Sequence, residues 1–179
     1  MNANLEEQYL FRLIRPEEIG QTAQMERICF PPNEICTEEQ MRNRIMRSQD
    51  LFFVAEDRSS GKLAGFINAL PTDEETFRDD FFNDMELFDP KGKNLMLLGL
   101  EVLPEHRMKG IARRLMEIVQ DALRKRSGDA GIAVLTCKEE KVPMYRKMGF
   151  KDLGISGSDW GGSVWHEMVW RPAEDTNKR

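Results

Sequence analysis

The segment Asn94–Val102, NLMLLGLEV, is apolar at almost every position and stops two residues before Pro104. A strand of that composition has both faces buried, so it requires structure packed above and below it. Gly99 lies inside it, and glycine within a strand marks a bulge or a close backbone approach. Beyond Pro104 comes a basic loop, Arg107-x-x-Gly110-x-Ala112. An amphipathic segment then places Ile111, Leu115, Ile118, Val119, Ala122 and Leu123 on one stripe, the pattern of a helix with one buried face. Buried strand, basic glycine loop and helix in that order confine the chain to a layered α/β arrangement.

The remaining segments fit that frame. YLFRLIR (Tyr9–Arg15) reads as a strand. Pro16 opens a helix, which CFPPNEIC breaks. Thr37 and Gln40 form a capping-box pattern that starts another. LFFVAED and KLAGFINAL, joined through RSSG, predict a hairpin. IAVLTC predicts a second buried strand. VPMYRKMGF predicts a short helix with Pro143 in its first turn and Gly149 as its stop. KDLGIS and SVWHEMVW predict two final strands around a WGG turn, the last able to pair with another chain's edge; a monomer or homodimer is expected. No internal repeat or low-complexity linker appears. The expectation is one domain over residues 1–179, with its core at 9–170 and a disordered tail at 171–179.

Composition excludes several classes. The net charge of −5 over 179 residues argues against general nucleic-acid binding, which needs a broad basic surface. No segment reaches the ~18 apolar residues of a membrane span. The N-terminus lacks the charged-then-apolar layout of a signal peptide. Three cysteines (Cys29, Cys36 and Cys137) and two histidines (His106 and His166) supply neither a disulfide framework nor a metal-ligand spacing. No metal and a reduced, cytoplasmic setting are therefore expected.

Against this acidic background the loop at 107–114 carries four cations, Arg107, Lys109, Arg113 and Arg114. A helix N-terminus presents unpaired N–H groups and partial positive charge, which attract phosphate. Gly110 allows close backbone approach to a ligand. The loop lacks the Gly-Lys-Ser/Thr of a nucleotide P-loop and the Gly-x-Gly-x-x-Gly of a dinucleotide site. Leu97–Met116 resembles the acyl-CoA pyrophosphate motif of the GNAT superfamily of N-acyltransferases, and YRKMGF (Tyr145–Phe150) resembles that superfamily's second signature. The CFPP and LTCKEEKVPMYRKMGF segments are similar to its arylalkylamine (serotonin) N-acetyltransferase-like branch.

The resemblance implies a mixed, mostly antiparallel sheet of six to seven strands, a bulged and splayed central strand and about four flanking helices. It also implies transfer of an acetyl group from acetyl-CoA to a primary amine of a small molecule, including an arylalkylamine, by direct attack in a ternary complex. By the same resemblance Met108, Lys109, Gly110, Ile111, Ala112 and Arg113, with Arg107 before them, grip the pyrophosphate. Leu100, Glu101 and Val102 align the pantetheine arm. Tyr145 protonates the departing thiolate, and Phe30 and Pro31 border the amine. The branch's strand histidines fall at Met96 and Leu98, which cannot accept a proton. The candidate bases are then His166, Glu139, Glu140 and Glu101, or a chain of waters. Glu101 differs in parity from Met96 and Leu98 and joins their face only if the bulge resets the phase.

Residues 73–89 hold eight acids and one base with interleaved Phe77, Phe81 and Phe82. They read either as a lid that attracts a cationic amine or as a short amphipathic helix with a solvated acidic face. Two other functions remain open: an acetyl-CoA-binding sensor with little turnover, and an acetyltransferase for a protein lysine or N-terminus.

Overall fold

Seven strands form a mixed sheet in the order β1-β2-β3-β4-β5-β7-β6 in the computed structural model, which describes residues 3–83 and 85–174. The strands are β1 Tyr9–Leu13, β2 Phe52–Asp57, β3 Lys62–Thr72, β4 Asn94–Val102, β5 Ala133–Cys137, β6 Lys151–Ile155 and β7 His166–Trp170. The β4–β5 ladder is parallel; β1–β2, β2–β3, β5–β7 and β6–β7 are antiparallel. Six α-helices occur among the described residues: α1 Ala3–Gln8, α2 Ile19–Cys29, α3 Glu38–Ser48, α4 Asp80–Asn83, α5 Ile111–Ser127 and α6 Val142–Arg146. The sequence predicted about four. The two extra ones, α1 and α4, have six and four residues, too short to show a helical period. Among the described residues no helix is long and apolar enough to cross a membrane. Of the tail expected to be disordered, Pro172–Glu174 form a 3₁₀ turn, and 175–179 lie outside the described residues.

The described residues divide into two compact units. One comprises the chain up to Ala69 with Gly99–Val119; the other comprises Leu70–Leu98 with the chain from Gln120 onward. In the first unit α3 begins at the predicted capping box: Gln40 N donates to Thr37 Oγ1 at 3.1 Å and Thr37 N to Gln40 Oε1 at 2.8 Å. Its Met41 and Ile45, four residues apart on one stripe, are fully buried with Ile14, Met25, Phe52, Val54 and Phe66. On α2 the buried stripe comprises Ile19, Thr22, Ala23, Met25 and Glu26. A glutamate on that face is the one residue out of character.

In the second unit the acidic segment is anchored by its aromatic residues. Phe77 and Phe81 are buried among Leu70, Met96, Leu98, Ile132, Val134 and Val169. The Phe77 N–H donates to Glu167 Oε2 at 3.0 Å. Buried Asn94 donates from Nδ2 to the carbonyls of Asp73 and Glu74, and its Oδ1 accepts from the Ile132 N–H. The amphipathic-helix reading describes α4 better than the lid does, because its phenylalanines already have core partners. The parallel ladder runs only from Leu95↔Ala133 to Met96↔Val134, so β5 leaves β4 early, as a splayed central strand requires. The segment SVWHEMVW offers no free edge: β7 is paired on both sides, by β5 and β6, and the terminal strand is β6.

Phe81→Ala is expected to lower unfolding stability by about 3–5 kcal/mol, the range for emptying a buried aromatic site, in urea denaturation. A change under about 0.5 kcal/mol would mark the side chain as a surface group.

Candidate active site

The end of β4 supplies the first part of the site. A Cβ on Gly99 would lie 3.0 Å from Asn68 Oδ1, 3.6 Å from Glu101 Oε1 and 3.7 Å from the Phe66 ring. Positions 99 and 101 therefore face the side of β3 that carries Phe66 and Asn68. Met96 and Leu98 pack with Leu70, which alternation along β3 places on that same side. Even-numbered residues before Gly99 and odd-numbered ones from it onward thus share one face, which takes one extra residue in the strand. The conditional expectation for Glu101 is met: the phase resets. Nearby, a Cβ on Gly65 would meet the Glu101 carbonyl oxygen at 2.7 Å, so β3 and β4 approach more closely there than a side chain allows.

The loop that follows has a conformation of its own. Met108, at φ 62°, is the single non-glycine with positive φ among the described residues, and Gly110 has φ 99°. Left-handed residues in a short loop turn successive N–H groups toward one point, an anion-binding arrangement, and a strained non-glycine residue there points toward function. The helix behind it begins at Ile111 and adds its own unpaired N–H groups. Gly110 is required for its backbone angle rather than for space, since a Cβ there would meet only Leu5 Cδ2 at 3.7 Å. Several cations of the loop are held by the protein. Arg107 Nε donates to the Val102 carbonyl at 3.0 Å, Lys109 Nζ to Tyr9 Oη at 3.3 Å, and Arg114 pairs with Glu6 at 2.9 Å. With these cations engaged, the backbone N–H groups of Met108–Arg113 are the donors that the motif would offer an anion such as a pyrophosphate. His106 meets Tyr9 Oη through Nδ1 at 2.9 Å.

The CFPP segment reaches the end of β4. Cys29 Sγ donates to the Val102 carbonyl at 3.7 Å, which puts Phe30 and Pro31 in the same unit as Leu100–Val102 and the loop. Burial pushes the Cys29 thiol up against the opposing pull of Arg107. It pushes Cys36 up to about 12.

Glu101 is 2% exposed, and neither carboxyl oxygen has a hydrogen-bond donor; Asn68 Oδ1, 2% exposed, also has none. Burial, followed by neighbouring Glu26, holds the Glu101 carboxyl well above the usual glutamate range. Glu26 itself is 3% exposed, with Oε2 accepting from the Cys36 N–H at 2.9 Å. Sequence reasoning gave Glu101 an alignment role and named it among the candidate bases, but missed Glu26. The signal was available in the period of α2, where residue 26 continues the apolar stripe through 19, 22 and 23.

In the second unit Tyr145 is buried on α6, its ring packing at an angle on Phe150 with centroids 5.9 Å apart. Burial, with a smaller push from Cys137, holds its phenol well above the ordinary tyrosine value, so it is neutral and carries its proton. The helix stops as predicted at Gly149, φ 90°. His166 Nδ1 lies 3.1 Å from Asp152 Oδ1. It lines a cavity of about 480 Å³ with Lys138, Glu139, Glu140, Ile155, Ser163 and Val164. The Gly154 N–H, then His166, keep the Asp152 carboxyl below its usual range. Cys137 is pushed up to about 12 by burial and is an inert packed thiol.

The model of the Acetyltransferase (GNAT) family matches residues 19–150, and the chain belongs to that family. The resemblance to this superfamily, drawn from residues 97–116 and 145–150, holds, since both segments lie inside the match. Human N-acetyltransferase 8 is 33% identical over 106 residues, which are 59% of this chain and 40% of that relative. The match thus spans well under two thirds of the relative's length. Among solved structures, the GphF GNAT-like decarboxylase in complex with isobutyryl-CoA superposes with a TM-score of 0.77 at 19% identity, covering 90% of this chain and 98% of that one. Arabidopsis thaliana Naa50 in complex with the bisubstrate analogue CoA-Ac-MVNAL gives 0.68 at 15% identity, covering 90% and 97%. At these identities the likeness is one of fold.

The two site glycines are expected to respond differently to alanine. Gly110→Ala incurs the left-handed backbone cost, about 1–2 kcal/mol, without a clash. Gly65→Ala forces β3 and β4 apart and is expected to cost more. Urea titration of both variants checks the order.

Proposed function

We propose that the chain is a single acetyl-CoA-dependent N-acetyltransferase domain acting on a primary amine. The observation that carries this reading is the loop Arg107–Arg113, with left-handed Met108 and Gly110 leading into α5 in a member of the GNAT family. Backbone N–H groups of Met108–Arg113 hold the pyrophosphate. The backbone of Leu100–Val102 aligns the pantetheine arm and offers an N–H to the thioester oxygen, where negative charge develops. Glu101 accepts the proton of the substrate ammonium, directly or through one water. The free amine nitrogen attacks the carbonyl carbon, the C–S bond breaks, the phenol of Tyr145 gives its proton to the thiolate, and the second proton shed by the nitrogen as the amide forms restores the phenol. Glu101 is preferred over His166 because its oxygens have no donor, whereas His166 is already engaged by Asp152.

For the substrate, a small-molecule amine rests on Phe30 and Pro31 beside the end of β4, and the arylalkylamine assignment rests on the likeness of the CFPP and LTCKEEKVPMYRKMGF segments to that branch. A protein or peptide N-terminus is the second reading. It is favoured by the burial of Phe77 and Phe81, which withdraws the argument for a lid, and by the fold shared with Naa50, whose bound analogue carries a peptide.

Calorimetric titration with acetyl-CoA, followed by thiol release over arylalkylamines, polyamines and free-amino-terminal peptides, tests the proposal. Binding with release for one amine class is expected. Absence of binding would reduce the loop to a helix start; binding without release would favour a sensor. Tyr145→Phe is expected to lower kcat by about a hundredfold or more, the lower end for general acid–base groups, with acetyl-CoA affinity nearly unchanged. His166→Ala is expected to leave the shape of the pH–rate profile intact.

A further inference from the structure

Glu26 on α2 and Glu101 on β4 are 3% and 2% exposed in the first unit. Cys29, one turn after Glu26, donates to the carbonyl of Val102, the residue next to Glu101, at 3.7 Å, and Glu26 is among the neighbours that push the Glu101 carboxyl up. Two ionised carboxylates are acceptors only. As such they leave both Glu101 oxygens without a donor at 2% exposure, and they set like charges against each other where water does not screen them. A single proton between them removes both penalties: one carboxyl becomes a donor, and the other accepts from it.

The other groups around the pair do not supply that proton's equivalent. Cys29 on α2 and Cys36 in the following segment are thiols held neutral by burial. Asn68 on β3 presents its Oδ1, another acceptor without a donor. Arg44 on α3, 3% exposed, adds positive charge that opposes the upward push on Glu101 but is outweighed by burial and by Glu26.

We propose that Glu26 and Glu101 share one proton in the folded protein, and that Glu26, as a positioning residue, thereby sets the pH above which Glu101 can take a proton from the substrate amine. The second half rests on the assignment of Glu101 as base in the proposed function; the first half does not. The proton balance is simple. Below that pH the pair holds one proton and Glu101 accepts none. Above it the shared proton has left to solvent, and the proton of the ammonium takes its place on Glu101 before passing on to solvent after acetyl transfer.

The pair also makes a signature that needs no substrate. A carboxyl whose pKa is raised by folding stabilises the protein fully below the ordinary glutamate value of about 4.3. That contribution is lost as pH rises through the folded value. Three proteins are compared: the unaltered chain, Glu26→Gln and Glu101→Gln. The glutamine at 26 keeps an acceptor for the Cys36 N–H while offering Glu101 a donor and no charge. Each is measured for stability against pH by urea denaturation, for a protonated-carboxyl infrared band at neutral pH, and for kcat/KM against pH with whichever amine of the panel above gives thiol release. The expected result is a band that is lost in both variants, a loss of stability with rising pH that flattens in both, and an acid limb that moves down by about one pH unit or more in Glu26→Gln. An unmoved stability slope and an unchanged band would overturn the shared proton. A moved slope and lost band with an unmoved acid limb would instead overturn the control of catalysis and remove Glu101 as base. If Glu26→Gln does not fold, the slope and band of Glu101→Gln still decide the first half.

Discussion

Between Leu98 and Gly99 the alternation of β4 slips by one position, and the slip depends on what residue 99 lacks. A Cβ there would stand 3.0 Å from Asn68 Oδ1, a distance tighter than ordinary carbon–oxygen contact. Before the slip, Met96 and Leu98 are packed with Leu70; after it, Glu101 is buried on the side of β3 that carries Asn68. A regular strand would send Glu101 to the opposite face and away from Glu26. The buried carboxyl pair, the close passage of β3 at Gly65 and the departure of β5 after Met96 all follow from that irregular strand.

The cations that draw the eye in the sequence are mostly employed in holding the loop rather than in holding a ligand. Arg107 ties the loop to the last carbonyl of β4, Lys109 and His106 tie it to Tyr9, and Arg114 ties α5 to α1 through Glu6. The loop thereby keeps Met108 in a conformation that a non-glycine residue adopts only when its surroundings enforce it. Recognition of an anion by backbone N–H groups fits an acidic protein: it requires local geometry and no basic surface.

The acidic segment shows why charge density is a poor guide to role. Its eight acids suggested a field over the substrate. Its fixed points are apolar and backbone contacts: Phe77 and Phe81 in the core, and Asn94 bridging Asp73, Glu74 and Ile132. Exposed ion pairs such as Arg78–Glu74 add little beside this.

Much of the fold was legible in the sequence because its signals are local. A capping box, a proline in a first turn, a glycine at a helix stop and an all-apolar run act through neighbouring residues, so Thr37, Pro143, Gly149 and Asn94–Val102 announced their elements. The order of strand, glycine loop and helix over 94–127 belongs with them, since the three are contiguous. Tertiary structure alone decided the partners. Helices α1 and α4 are too short to stand without packing. The edge of β7 was covered by β5 and β6, and His106 was claimed by Tyr9, nearly a hundred positions away. Glu26 and Glu101 are separated by most of the first unit's chain, and nothing near either predicts the other. Whether a buried carboxyl is ionised depends on what the fold sets against it, and a linear pattern carries no information about that distance.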